Sequence, residues 1–344
     1  MKTTKVTFFK TMAFVIALTT ITSCGNDDPI PEQALVIQNL ENGILNGTLQ
    51  ENYTLDATTL YNLTSSFIID NAATLTIPAG TKIKATDGGT DVYIAVLKGG
   101  KIKINGTTAL PVVISSENAN GGDWGGLTLC GKATTTAGVD AEAEVGGFLY
   151  GGTQDADNSG TISYLVLKGT GAQINSESQY NGISLYAVGS GTVLQNIAVI
   201  NGSDDGIEFF GGTATVSNIY LENNEDDAVD WTEGWSGSIT NTYIVHTVAG
   251  FSTAFEGDKI NNNPNFTNVT AISSVGGKAL QFKKQSGATI TNLYLEGYTT
   301  NIDMKDAGPL ANVVIDGVAA DTSLPYNTGT KVNISGWTWK NAGL

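Results

Sequence analysis

Seven asparagines, Asn196, Asn218, Asn241, Asn268, Asn292, Asn312 and Asn333, recur at nearly even intervals along the second half of the chain. Each opens a strand-like segment: NIAVI, NIYLE, NTYIV, NVTAI, NLYLE, NVVID and NISGW. A period of roughly 20 to 27 residues indicates a solenoid, because one such repeat cannot bury its apolar face without neighbours above and below. Aligned on the asparagines, positions +1 and +3 read Ile197/Val199, Ile219/Leu221, Thr242/Ile244, Val269/Ala271, Leu293/Leu295 and Val313/Ile315. With the two-residue period of a strand, these face inward. Position +2 (Ala198, Tyr220, Tyr243, Thr270, Tyr294, Val314) then faces outward. Asn tolerates left-handed backbone and bonds local backbone groups, so it suits a corner before the strand. Copies stacked ~4.8 Å apart can also bond one another along the axis.

A second strand recurs in each repeat. Gly182-Ile183-Ser184-Leu185 matches Gly206-Ile207-Glu208-Phe209, Ala228-Val229-Asp230-Trp231, Ala254-Phe255-Glu256-Gly257, Ala279-Leu280-Gln281-Phe282 and Asn301-Ile302-Asp303-Met304. Less regular rungs precede them at residues 80–84 and 100–104. No helical periodicity exceeds two turns beyond Cys24, and the abundance of glycine suits many tight corners. The reading is all-β: a right-handed parallel β-helix with rungs of about 20–27 residues. Residues ~36 to 60 are expected to form an N-terminal cap, and Trp337 and Trp339 to cover the last rung, since solenoid ends need capping.

Residues 1–23 read as a lipoprotein signal peptide: Lys2, Lys5 and Lys10, a short apolar stretch from Met12 to Leu18, then a small polar run. Ile21-Thr22-Ser23-Cys24 resembles a bacterial lipobox, which would make Cys24 the lipidated N-terminus. Residues 24–35 follow as an acidic tether, and residues 36–344 as a single β-helix domain including its caps. Acidic residues directly after the lipidated Cys resemble the signal that sends Bacteroidota lipoproteins to the outer face of the outer membrane. The expected location is therefore lipid-anchored at that membrane and exposed on the cell surface.

Removing residues 1–23 takes away three lysines and no acids, so the net charge moves from −16 to −19. Such a body repels nucleic acid and anionic headgroups and attracts cations, leaving the lipid as the contact with the membrane. The expected state is a monomer. There is no arginine, the usual bidentate grip for carboxylate or phosphate. With Cys24 lipidated, Cys130 has no disulfide partner and reads as a small buried hydrophobe. The single His246 is structural or exposed, and no His/Cys cluster offers a zinc site.

Asp204, Asp205 and Glu208 recur one repeat later as Asp226, Asp227 and Asp230, so each carboxylate lies above its counterpart. Like charges about 5 Å apart repel by roughly 1 to 3 kcal/mol per pair, and something must offset six of them. Glu256, Gln281 and Asp303 continue the outward column, making one face a strip of oxygen acceptors. One reading is a bound Ca2+, held by Asp204, Asp205, Asp226 and Asp227. Another is a polysaccharide groove, with hydroxyls on the carboxylates and Trp231, Trp235 or Tyr243 as stacking faces. The third is a solvated, solubilising surface without cofactor.

Residues ~60 to 310 resemble a family of secreted Bacteroidota β-helix proteins. The matching stretches are Thr74–Thr81, Gly99–Asn105, Gly122–Leu127, Tyr150–Gly152, Asp155–Gly160 and Asp204–Gly212. The resemblance implies the fold and a lipoprotein location more than a chemistry. Gly202-Ser203-Asp204-Asp205-Gly206 is also similar to the paired aspartates of polygalacturonases. The Gly-His-Gly and Arg-Ile-Lys elements of those enzymes are missing, with Gly-Phe-Ser and Phe-Lys-Lys near the corresponding rungs. Inverting hydrolysis needs carboxyls ~6.5 to 9.5 Å apart, and a lyase needs a basic residue, for which Lys283 and Lys284 are in register. The residues favour a binding or structural role at the cell surface. The alternatives are a polysaccharide-degrading hydrolase or lyase on the same carboxylates, and an adhesin or structural envelope protein.

The anchor is directly testable. Two acyl chains hold a protein stably where one does not, so the wild type is expected in the outer-membrane fraction and Cys24→Ser in the soluble one. A wild type found free in the medium would rule out lipidation.

Overall fold

The computed structural model describes residues 31–176, 178–259 and 264–344. The signal peptide, Cys24 and residues 24–30 of the tether lie outside the described residues. Among the described residues from Ile44 onward, 23 strands join into one sheet whose ladders are parallel except at the C-terminal hairpin. The chain winds as a right-handed parallel β-helix with three strand positions per rung.

A left-handed residue divides the long strand of each regular rung. In Val193–Ile200, Thr215–Glu222, Ser238–His246, Asn265–Ser273 and Ala288–Glu296, that residue is Asn196, Asn218, Asn241, Asn268 or Asn292. Their φ angles are 55, 57, 61, 57 and 58°. Asn is among the few non-Gly residues that visit this region at modest cost. The segment before the bend forms the first face of the solenoid, and the segment after it the second. The third face stacks Leu127–Cys130, Ile183–Tyr186, Ile207–Phe210, Asp227–Thr232, Thr253–Gly257, Lys278–Phe282 and Thr300–Met304. Lys82–Ala85 and Lys101–Asn105 sit in the earlier rungs, as their patterns indicate.

The five amides form a continuous ladder: Nδ2 of Asn218, Asn241, Asn268 and Asn292 each donates to Oδ1 of the preceding asparagine at 2.9 Å. Asn312 and Asn333 share the spacing but not the ladder. Asn312 lies in a short 3-10 turn and bonds the Gln285 carbonyl, while Asn333 accepts from Ser335 N. The end of the ladder is instead closed by backbone. Asn292 donates to Thr330 O at 3.0 Å and accepts from Thr330 N at 2.7 Å.

All six pairs of +1 and +3 residues are buried, and every strand of the regular rungs contributes to one continuous core. The +2 residues share one outward face: Tyr243, Tyr294 and Val314 remain partly exposed, while Ala198, Tyr220 and Thr270 are buried from outside the solenoid wall. The cause is the C-terminal segment. It does not cover the last rung but runs back across the second face as a strap. Val332 N donates to Thr270 Oγ1, Lys340 sits 4.1 Å over the Tyr220 ring, and Trp339 packs edge-on against Tyr164 at 5.9 Å. Trp337 and Trp339 thus serve an outer core with Val113, Val166 and Ala198. The terminal rung is covered instead by the Val313–Ile315 and Val318–Ala319 hairpin, with Ala320 and Tyr326 beneath it.

At the other end the cap contains a helix, Glu32–Glu41, that begins inside the stretch assigned to the tether. Val36 and Leu40, one turn apart, are its buried residues and close the first rung over Leu45 and Leu49. Two buried positions in so short a helix leave too faint a period to stand out in the sequence.

These contacts order the cost of substitutions. Ile219→Ala leaves a core cavity and is expected to cost ~2–5 kcal/mol. Asn241→Ala loses two ladder bonds and a favourable left-handed residue, for roughly 2–3 kcal/mol. Asn333→Ala, off the ladder, should stay within about 0.5 kcal/mol. Urea denaturation of the three variants measures the order, and equal losses for the two asparagines would contradict the ladder's role.

Candidate functional site: a buried carboxylate strip

Glu208, Asp230, Glu256, Gln281 and Asp303 pair in direct register along the third face, pointing out while Phe209, Trp231 and Phe282 point in. Asp204, Asp205, Asp226 and Asp227 occupy the corners that lead into this face. Asp227 N donates to Asp205 Oδ1 at 2.8 Å, which ties one corner to the next. The seven acids form three overlapping triads: Asp204/Asp205/Asp226, Asp205/Glu208/Asp230 and Asp227/Asp230/Glu256. Within each triad, one oxygen from every residue lies within 4.8 Å of the others. Asp205 and Asp230 are shared, so the strip is continuous. The expected metal set is divided: Asp204, Asp205 and Asp226 converge, and Asp227 joins Asp230 and Glu256.

The strip is sunk into the surface. Asp204, Asp205, Glu208, Asp227 and Glu256 are all buried, Asp230 is partly so and Asp226 is exposed. Part of the cover comes from residues 131–159, which leave the solenoid and carry the hairpin Ala141–Glu142/Leu149–Tyr150. Tyr150, Tyr186 and Phe210 stack beneath it with Cys130, in a second small core outside the helix wall. Cys130 is the expected inert thiol, pushed up to about 12 by burial. His246 is likewise structural: it is fully buried, stacks on Phe251, and burial lowers it to about 4.

Polar neighbours satisfy part of the strip. Asn181 Nδ2 donates to Glu208 Oε2 at 2.6 Å, and Thr253 Oγ1 to Asp227 Oδ1 at 2.6 Å. Lys283 Nζ lies 2.5 Å from Glu256 Oε2. Lys278 and Lys305 hold Asp303 at 3.0 and 3.1 Å, which outweighs burial and keeps that carboxyl below its ordinary range. The C-terminal end of the strip is therefore neutralised. The other end is not: among the described residues, none of Asp204, Asp205, Glu208, Asp226, Asp227 and Asp230 forms an ion pair. Asp230 Oδ1 and Glu256 Oε1 are buried without any hydrogen-bond partner.

Burial, and then the neighbouring carboxylates, raises the proton affinity of this end. Asp204 is pushed up to about 8 by burial together with Asp226 and Glu144. Asp205 lies well above the ordinary range through burial, Glu208 and Asp230, Glu208 through burial, Asp230 and Glu144, and Asp227 and Asp230 through burial and Glu256. A buried charge either finds a partner or neutralises itself. These acids must therefore hold protons or a cation. Oxygen-only donors, carboxylate-rich and clustered, suit a hard divalent ion such as Ca2+.

Trp231 and Trp235 are not stacking faces for a ligand. Both are fully buried inside the solenoid, Trp235 against Phe209 at 3.9 Å and Trp231 against Phe266 at 5.0 Å. The alternation that turns Asp230 outward turns Trp231 inward, so one strand cannot present both. The structure adds Asn181 and Glu144 to the site. Asn181 lies one rung before Asp205, so the same register carried back from Ile207↔Ile183 reveals it. Glu144 comes from the inserted hairpin, which has no register to follow.

Neither a curated protein nor a solved structure matches this chain. Residues 47–335 match the family described as the pectate-lyase like beta helix domain, a span that covers the solenoid and its acidic strip, and the protein belongs to that family.

Proposed function

We propose that the protein is a cell-surface, lipid-anchored β-helix that captures divalent cations, Ca2+ foremost, on its acidic strip and through them holds polysaccharide. One observation carries the reading: six carboxyls stacked in register over two rungs, with no ion pair among the described residues. The partnerless Asp230 Oδ1 and Glu256 Oε1 are two further oxygens to which a cation would give a partner. Ca2+ takes about six to eight oxygens, so Asp204, Asp205 and Asp226, or Asp227, Asp230 and Glu256, leave positions for water or sugar oxygen. A cation would let this strongly acidic chain, which lacks arginine, hold an acidic glycan.

A second reading, a polysaccharide-cleaving enzyme, is favoured by one observation. Asp204, with its pKa pushed up to about 8, would carry a proton at neutral pH as a general acid requires. The lyase form of that reading fares worse. Lys283 is held protonated by Glu256, against the effect of its burial, and a protonated amine abstracts nothing. Incubation with a polysaccharide that binds separates the two. Binding without release of reducing or unsaturated ends supports the binding protein, and release of either establishes the enzyme. Retention of acidic polysaccharide that EDTA leaves unchanged would remove the cation from the reading.

Calcium should stabilise the fold by mass action. At about 100 times Kd, the gain of ~2.7 kcal/mol corresponds to roughly 4 °C in a domain of this size. Magnesium should do less, because it demands tight octahedral geometry and sheds water reluctantly. The double variant Asp205→Asn, Asp227→Asn should lose the calcium shift. If sodium at equal ionic strength raises the melting temperature as much as calcium does, screening explains the effect and the strip holds no ion.

The pH dependence has a defined sign. A carboxyl raised in the folded state contributes stability that is present below its unfolded value and is lost as pH rises through the folded value. In EDTA, stability should therefore fall from pH 6.5 to above pH 8, the window set by Asp204 at about 8. His246, lowered to about 4, acts in the opposite sense only below the unfolded value, so this window is free of it. Calcium should flatten the slope. Melting curves at four pH values, with and without calcium, provide the check.

A further inference from the structure

Between the asparagine ladder and the C-terminal strap runs an open groove of about 240 Å3, on the corner where the first face meets the second. Asn218, Asn241 and Asn268 form its floor, and Lys331, Asn333 and Trp337 its other wall. Each ladder amide spends one N–H on the rung before it. A carboxamide has two N–H groups and two acceptor lone pairs, so these three retain half of their hydrogen-bonding capacity. Asn292 differs: its amide is consumed by Asn268 and Thr330, which closes the groove at that end.

Among the described residues that line the groove, no charge is left unpaired. Lys331 pairs with Glu296 at 2.7 Å and lies 4.6 Å over the Tyr294 ring. In a chain of net charge −16, this is a surface of amides and one aromatic ring. That ring is distinctive. Trp124, Trp231, Trp235 and Trp339 are buried to 2 % exposure or less, whereas Trp337 stays partly exposed. Sugars present an apolar C–H face to aromatic rings and hydroxyls to amides, and concave sites combine those two features. The amides repeat at the rung spacing of ~4.8 Å, a step on the scale of one sugar ring, so a linear chain along the axis meets equivalent donors repeatedly.

We propose that this groove binds a neutral, extended polysaccharide chain, with Trp337 as the stacking platform and the spare amides of Asn218, Asn241 and Asn268 reading hydroxyls. The site is separate from the acidic strip and needs no cation.

The test uses the full-length protein in EDTA, with a soluble β-glucan, a mannan and a xylan as neutral probes and alginate as the anionic control. At least one neutral probe should slow the protein in affinity gels and protect Trp337 from oxidation by N-bromosuccinimide, read by mass spectrometry. Trp337→Leu should weaken retention about tenfold, the order expected for losing an aromatic platform. Protection is measured on the unaltered protein, so the result stands even if that variant loosens the strap. Absence of both retention and protection with all three neutral probes overturns the proposal, as does retention that requires calcium. Failure of the acidic strip to bind calcium would leave this result unaffected.

Discussion

In-register parallel stacking places every side chain within one strand spacing of its counterpart in the next rung. The fold therefore multiplies whatever one residue does. An amide is both donor and acceptor, so a column of Asn196, Asn218, Asn241, Asn268 and Asn292 reinforces itself with each added member. A carboxylate is acceptor only, so Glu208 above Asp230 above Glu256 accumulates repulsion instead. The corner that shapes the rung and the strip that marks the site obey one geometric rule with opposite sign.

That rule explains what the sequence discloses and what it hides. Features that repeat are legible: the inward pairs, the ladder and the carboxyl column can each be read by aligning rungs, and Asn181 belongs to the same alignment. Trp231 could have been placed correctly by that logic, because strand alternation already committed Asp230 to the outside. The strap, the inserted hairpin with Glu144, and the N-terminal helix occur once each. Asn333 lies on the strap and matches the spacing of the ladder without belonging to it. Periodicity finds repeats, and the elements that cover a repeat are by nature aperiodic.

Charge compensation along the strip is graded. Lysines from the rungs near Gln281 and Asp303 neutralise its C-terminal end, while the end nearest the inserted hairpin is left to hydroxyls, amides and burial. Burial without a paired counter-charge raises the proton affinity of Asp204, Asp205, Glu208, Asp227 and Asp230. A hard cation competes for the same oxygens. The pH sensitivity of the fold and its affinity for cations would then be two measures of one local field.

Solenoids ordinarily lose their ends first, because a terminal rung has a neighbour on one side only. The strap changes that connectivity. Thr330 is fastened to the last ladder amide, while Trp339, close behind it in the chain, rests against Tyr164 several rungs back. A linear stack thereby acquires a brace across its C-terminal rungs. Peeling the terminal rung away must strain contacts made deep in the array, so rungs that would fray in sequence are coupled into a larger cooperative unit. The brace draws its contacts from several rungs at once, so it can seat fully only where those rungs are formed. A molecule whose interactions are otherwise nearest-neighbour gains, from one short C-terminal segment, the long-range closure of a globular domain.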